Sequence, residues 1–178
     1  LVTAEQYANA AITAGVTDAE IEVAAVSKVT GESALTGVYK AFEANGVQLD
    51  SKRTEVAQQE LEVTNKIAQE NANQKGFDSS KLDKAMIEIK KELAELKQKQ
   101  GQLATKEDIE RIINDALKNN SLQNVISKDQ INALVAFAQN YQNTSAIDSK
   151  QVLEQLNSLS KSVGEKINSL VEQAKNEG

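Results

Sequence analysis

The chain has 178 residues, 40% hydrophobic but only 3% aromatic, and a formal charge of -6 from 20 basic and 26 acidic side chains. It contains no Cys, His or Pro. This excludes disulfides, zinc-finger sites, His-based triads and Cys nucleophiles within the chain, leaves the redox compartment open, and removes the commonest helix breaker. A core of Leu, Ile, Val and Ala suits helix-on-helix packing, and the length suits one domain or a compact lobe with a helical extension.

Helix starts are marked repeatedly by a Ser, Thr or Asp followed three residues later by Gln, Glu or Asp. The cap oxygen accepts from an orphan backbone N–H, and flanking apolar residues pin the entry angle. The first such box, Thr3 to Gln6, predicts a helix to Ala14, ended by Gly15. Thr17-Asp18-Ala19-Glu20 is a further match, but Ile21-Glu22-Val23 alternates and the stretch to Val29 is valine-rich. That pattern favours a short strand over about residues 21–28. Thr30 then caps a helix bearing Leu35, Val38, Tyr39 and Phe42, which Asn45-Gly46 closes.

Asp50 opens a long helix striped by Val56/Ala57, Leu61, Val63 and Ile67, expected to end at Gly76. Asp78 opens another, with Leu82, Ala85, Met86, Ile89, Leu93 and Leu96 on one face and Gly101 as its stop. Their similar lengths suggest antiparallel neighbours joined by a short loop. Thr105 caps a helix with Ile109, Ile112, Ile113 and Leu117; Asn119-Asn120-Ser121 is a loop; Ser127 caps the next helix, with Leu134, Val135, Ala138 and Tyr141. The last helix is expected from Asp148 to about Lys175. Its Val152, Leu156, Leu159, Val163, Ile167 and Leu170 form a nearly heptad seam that demands one or two partner helices. The expected fold is mainly α: an elongated helical bundle or set of helical hairpins over residues 47–178, behind a small N-terminal lobe, residues 1–46, containing the short β-strand.

The sequence states no reaction. The densest basic stretch, Lys84 to Lys99, alternates with Glu88, Glu92 and Glu95 and reads as a solvated helix face carrying i,i+3 and i,i+4 pairs. Nucleic-acid binding, which calls for a basic stripe, is disfavoured. Glu20/Glu22, Glu92/Glu95 and Glu107/Asp108 read as surface carboxylates rather than a catalytic pair facing across a cleft. Ser33, Ser158, Ser160 and Ser162 have no His to activate them. Val29 to Gly37 has the look of a phosphate-binding turn, but Glu32 would occupy the anion's place and no Lys follows at P-loop spacing. Gly31 and Gly37 therefore read as sites of close helix packing. No catalytic residue, cofactor or metal is expected. No run approaches the roughly 18 apolar residues of a membrane span, so no membrane insertion by this chain is expected. No signal peptide is visible, but the chain opens on Leu1 rather than Met, so something upstream is expected to have been removed or omitted, whether a processed export signal, a disordered leader or a trimmed segment.

Thr3 to Val16, with its Thr-Ala-Gly, then Val23-Ala24-Ala25, then Val29-Thr30-Gly31-Glu32-Ser33-Ala34-Leu35-Thr36-Gly37, stand in an order that resembles a known family. That family is domain of unknown function one thousand and two. The resemblance is specific over residues 3–62 and fades to helical pattern beyond; where the family often has Pro before the Val-Thr-Gly segment, this chain has Ser27-Lys28. It implies export, mostly from Gram-positive bacteria, and a secreted or cell-surface location. It implies no established activity and carries over no catalytic residue.

The functional expectation is a non-enzymatic extracellular or cell-surface adaptor or scaffold that binds a protein or cell-wall component. The alternative is self-assembly into a surface fibre or oligomer, through the last helix's seam and the strand near Val23. An envelope hydrolase is the least expected reading. Candidate interaction residues are Thr30, Gly31 and Gly37 in the N-terminal lobe and Leu156, Leu159, Val163 and Ile167 on the last helix.

Overall fold

The computed structural model describes residues 2–17, 36, 37, 39, 40, 46 and 48–177. The protein is mainly helical, and no strand occurs among the described residues. The strand expected over 21–28 lies outside them. The α-helices are α1 (Ala4–Ala14), α2 (Ser51–Glu70), α3 (Ser79–Gln100), α4 (Lys106–Asn119), α5 (Lys128–Gln142) and α6 (Lys150–Glu177), with a 3₁₀ turn at Ser145–Asp148 before α6.

Local chemistry sets most of the helix ends. Thr3, Thr105 and Ser127 each form a complete capping box, with Gln6, Asp108 and Gln130 respectively. Asp50 and Asp78 accept from first-turn N–H groups of α2 and α3. Gly15 and Gly101 close α1 and α3 at φ +95° and +71°, a left-handed conformation that costs glycine least.

Two ends differ from expectation. α2 stops at Glu70 rather than running to Gly76, because the Asn71 amide donates both to the Ile67 carbonyl and to Gln130 on α5. At α6 the capping oxygen belongs to Ser149, not Asp148: its Oγ accepts from the Val152 N–H at 3.2 Å. Asp148 is drawn into the 3₁₀ turn, which Thr144 caps, and reaches Lys97 at 2.8 Å.

α3 is the central helix and packs on α1, α4, α5 and α6. Its Leu82, Met86, Ile89 and Leu93 meet Ile109, Ile112, Ile113, Phe137, Tyr141, Leu156 and Val163 in the main core. A smaller cluster joins Tyr7, Ala10, Ala11, Ala14 and Val16 to Ala57 and Leu61 on α2. The expected α2–α3 hairpin is not the arrangement adopted. α2 packs chiefly on α1 and α5, and both of these also pack on α3. The cause is visible on α1, whose polar face reaches α2 and α3 together. α1, assigned to the N-terminal lobe by sequence, thus packs directly on α2, α3 and α6. Most of the remainder of that lobe lies outside the described residues.

Side chains pin the connections. Arg53 donates to the Thr13 and Ile12 carbonyls at 2.9 and 3.1 Å, placing a cation at the negative end of α1. The Gln142 amide grips the Ala104 peptide through two bonds of 3.0 Å, one to its N–H and one from its donor to the carbonyl. Both partners are buried. Gln142→Ala leaves that peptide unsatisfied and is expected to cost about 1–3 kcal/mol, read as a lowered denaturation midpoint with an unchanged slope.

Candidate functional site

Gln6, Asn9 and Thr13 lie on one face of α1, Glu60 and Thr64 one turn apart on α2, and Asp83 and Lys90 two turns apart on α3. All seven are buried. Lys90 is 0% exposed and Glu60 1%, and their charges meet at 2.9 Å. The Lys90 ammonium also donates to the Asn9 carbonyl at 2.9 Å and to Thr13 Oγ1 at 3.3 Å, so each of its three hydrogens has an acceptor. The Thr13 hydroxyl donates to the other Glu60 oxygen at 2.6 Å. Gln6 donates to Thr64 Oγ1 at 2.8 Å, and the Asn9 amide to the Asp83 carbonyl at 3.0 Å. Burial pushes Lys90 below its ordinary value, while Glu60, and then Asp83, pull it back up.

Asp83 has a different environment. Its carboxylate accepts from the Thr3 hydroxyl at 3.2 Å, and among the described residues no cation stands within ion-pair distance. Burial pushes it up to about 7; the Thr3 hydrogen bond lowers it, Glu5 raises it, and Lys166 and Glu60 act in opposite senses more weakly. The Asn9 side-chain oxygen and the hydroxyls of Tyr7, Tyr39 and Tyr141 are buried and find no partner. Burial raises all three phenols.

This layer contradicts the reading of Lys84 to Lys99 as a wholly solvated face. Lys90 follows Met86 by four residues and precedes Leu93 by three, so it lies on the apolar stripe of α3 and not opposite it. That register was the signal in the sequence. What it could not supply was the partner, since Glu60 is thirty residues away on another helix. The remaining carboxylate pairs are peripheral. Glu92 and Glu95 border a shallow groove with Lys99 and Arg111, and Glu92 is raised by partial burial and by neighbouring Asp115, Glu95 and Glu88. Asp108 serves its capping box. Glu20/Glu22 and Ser33 lie outside the described residues, while Ser158 and Ser162 are exposed.

Of the candidate interaction residues, Thr30 and Gly31 also lie outside the described residues. Gly37 is exposed, and a Cβ there would meet nothing within 4 Å, so no described residue packs closely on it. Leu156 and Val163 are 0% exposed, and Leu159 and Ile167 are partly buried against the main core. The seam thus finds its partner helices within the chain, on α1 and α3. Free apolar surface begins at its last member: Leu170 is 41% exposed, and the adjoining Val171 49%. Elsewhere, a groove of about 410 Å³ between α2 and α5 is lined by Glu62, Val63, Lys66, Asp129 and Gln130 among others. Among the described residues no group of His, Cys, Asp and Glu could hold a metal ion, and no helix is long and apolar enough to cross a membrane.

Comparison with known proteins gives one family. The model described as "Protein of unknown function (DUF1002)" matches residues 1–159, a longer span than the motifs of residues 3–62 suggest. A Bacillus subtilis (strain 168) protein described as "Uncharacterized protein YpuA" is 36% identical over 157 residues, 87% of this chain and 49% of the relative. The chain therefore spans about half the length of that relative. No solved structure matches.

Proposed function

The chain belongs to the DUF1002 family, and from that premise we propose that it is a non-enzymatic scaffold or adaptor, secreted or held at the surface of a Gram-positive cell, that binds a protein or cell-wall partner. The observation that carries the binding part is the far end of α6. This helix spans 28 residues, about 42 Å at 1.5 Å per residue. Its first half is seated on the core, while every residue from Asn168 to Asn176 is exposed. Leu170 and Val171 therefore extend the packed seam onto an open helix surface, the form of contact that an apolar groove on another protein recognises. The surface location is supported by the family resemblance of the N-terminal motifs. The non-enzymatic part is supported by the closure of the polar layer, whose lysine and glutamate are engaged with each other and sealed from solvent.

A photo-crosslinking residue in place of Val171, with a second chain labelled at exposed Arg111 as control, tests this on intact cells. The expected result is a discrete adduct at position 171, absent at 111 and lost on Leu170→Asp. Equal labelling at both positions, or none, would remove the proposal. An adduct of twice the chain mass would instead favour self-assembly.

A further inference from the structure

We propose that Asp83 and Thr3 form a proton-controlled latch that holds the first turns of α1 on α3, seated when Asp83 is protonated and loosened when it is ionised. Asp83 is 2% exposed. Among the described residues, the charges that act on it are Glu5 on α1, Glu60 on α2, Lys166 on α6 and, on its own helix, Lys90. Both cations are committed elsewhere, Lys166 to Glu5 at 3.2 Å and Lys90 to Glu60 at 2.9 Å. An ionised Asp83 is thus a buried anion that, among the described residues, has one hydroxyl donor and no counter-ion, a costly state.

The cheapest relief is to admit water where α1 begins. The Thr3 oxygen that bonds Asp83 also caps α1, accepting from the Gln6 N–H at 3.0 Å. α1 is held there largely through polar contacts. Its buried face is largely Gln6, Asn9, Thr13 and alanines, with Tyr7 and Ile12 as its large apolar contributions. Elements with so little buried apolar area open below the global unfolding free energy. The direction follows from linkage. A carboxyl raised in the seated state stabilises it fully below its ordinary value of 3.8, and that contribution is lost as pH rises to about 7.

Amide hydrogen exchange on the intact chain from pH 5 to 8.5, corrected for the intrinsic rate, tests this. Peptides from α1 are compared with α4 as internal reference. Protection of α1 relative to α4 is expected to fall by up to about tenfold per pH unit below 7 and to level off above it. Asp83→Asn, which keeps the shape and cannot ionise, is expected to hold α1 protection constant across the range. A wild-type α1 that tracks α4 at every pH would overturn the latch, whether or not the variant folds. So would a pH dependence that survives in Asp83→Asn.

Discussion

Replacing Lys90 by Met is expected to destabilise the protein by about 3–5 kcal/mol, on the order of 10 °C in Tm for a chain of this size. The substitution removes no great volume. It strands the Glu60 carboxylate, 1% exposed, without the cation 2.9 Å away, and it removes one donor from the Asn9 carbonyl. Glu60→Gln is expected to be comparably harmful, because it leaves an ammonium buried beside a neutral amide. The pair Glu60→Leu with Lys90→Met should recover much of the loss, since neither charge is then stranded. It should not recover all, because Thr13 loses its shorter hydrogen bond and keeps only the 3.4 Å contact with the Asn9 carbonyl. Thermal unfolding of the four chains decides the matter. Single variants within 1 kcal/mol of the parent would show that water reaches the pair.

The second large effect is expected on α6. Leu156→Asp places an unpaired carboxylate at a position that is 0% exposed and should cost several kcal/mol. Leu170→Asp, two heptads along the same stripe, should change stability by about half a kcal/mol or less, because its site is already 41% open to water. Leu159 lies between these cases: partly buried, it should respond less than Leu156 and more than Leu170. Denaturant midpoints that are equal for Leu156→Asp and Leu170→Asp would mean that α6 is not docked on α1 and α3.

What the sequence disclosed, it disclosed through local chemistry. Thr3, Asp50, Asp78, Thr105 and Ser127 were readable as caps because the oxygen and the N–H groups it satisfies lie within three residues of each other. The seam of α6 was readable from its period. What was hidden depends on contacts distant in the chain. Nothing near Lys90 announces Glu60, and a lysine among glutamates on a helix looks alike whether the face is wet or dry until the opposing helix is known. The cap of α6 moved from Asp148 to Ser149 because Thr144 builds a short turn that takes Asp148 into itself. The expected α2–α3 hairpin rests on length alone, and length says nothing of a third helix with a polar face fitted to both. Leu156 and Val163, candidate interaction contacts by sequence, are covered by α1 and α3 within the chain.

The buried phenols give the molecule an optical property. The chain has no Trp and three Tyr, so its near-ultraviolet spectrum is a tyrosine spectrum. Tyr7 belongs to the small cluster on α1 and α2, and Tyr141 stacks 5.8 Å from Phe137 in the main core. Neither hydroxyl has a hydrogen-bond partner, and both resist ionisation through burial. Their absorbance therefore senses two separately packed regions from within, without an introduced label. A change confined to the α1 side alters Tyr7, and Tyr39 packed against the same cluster, and leaves Tyr141 as the built-in baseline.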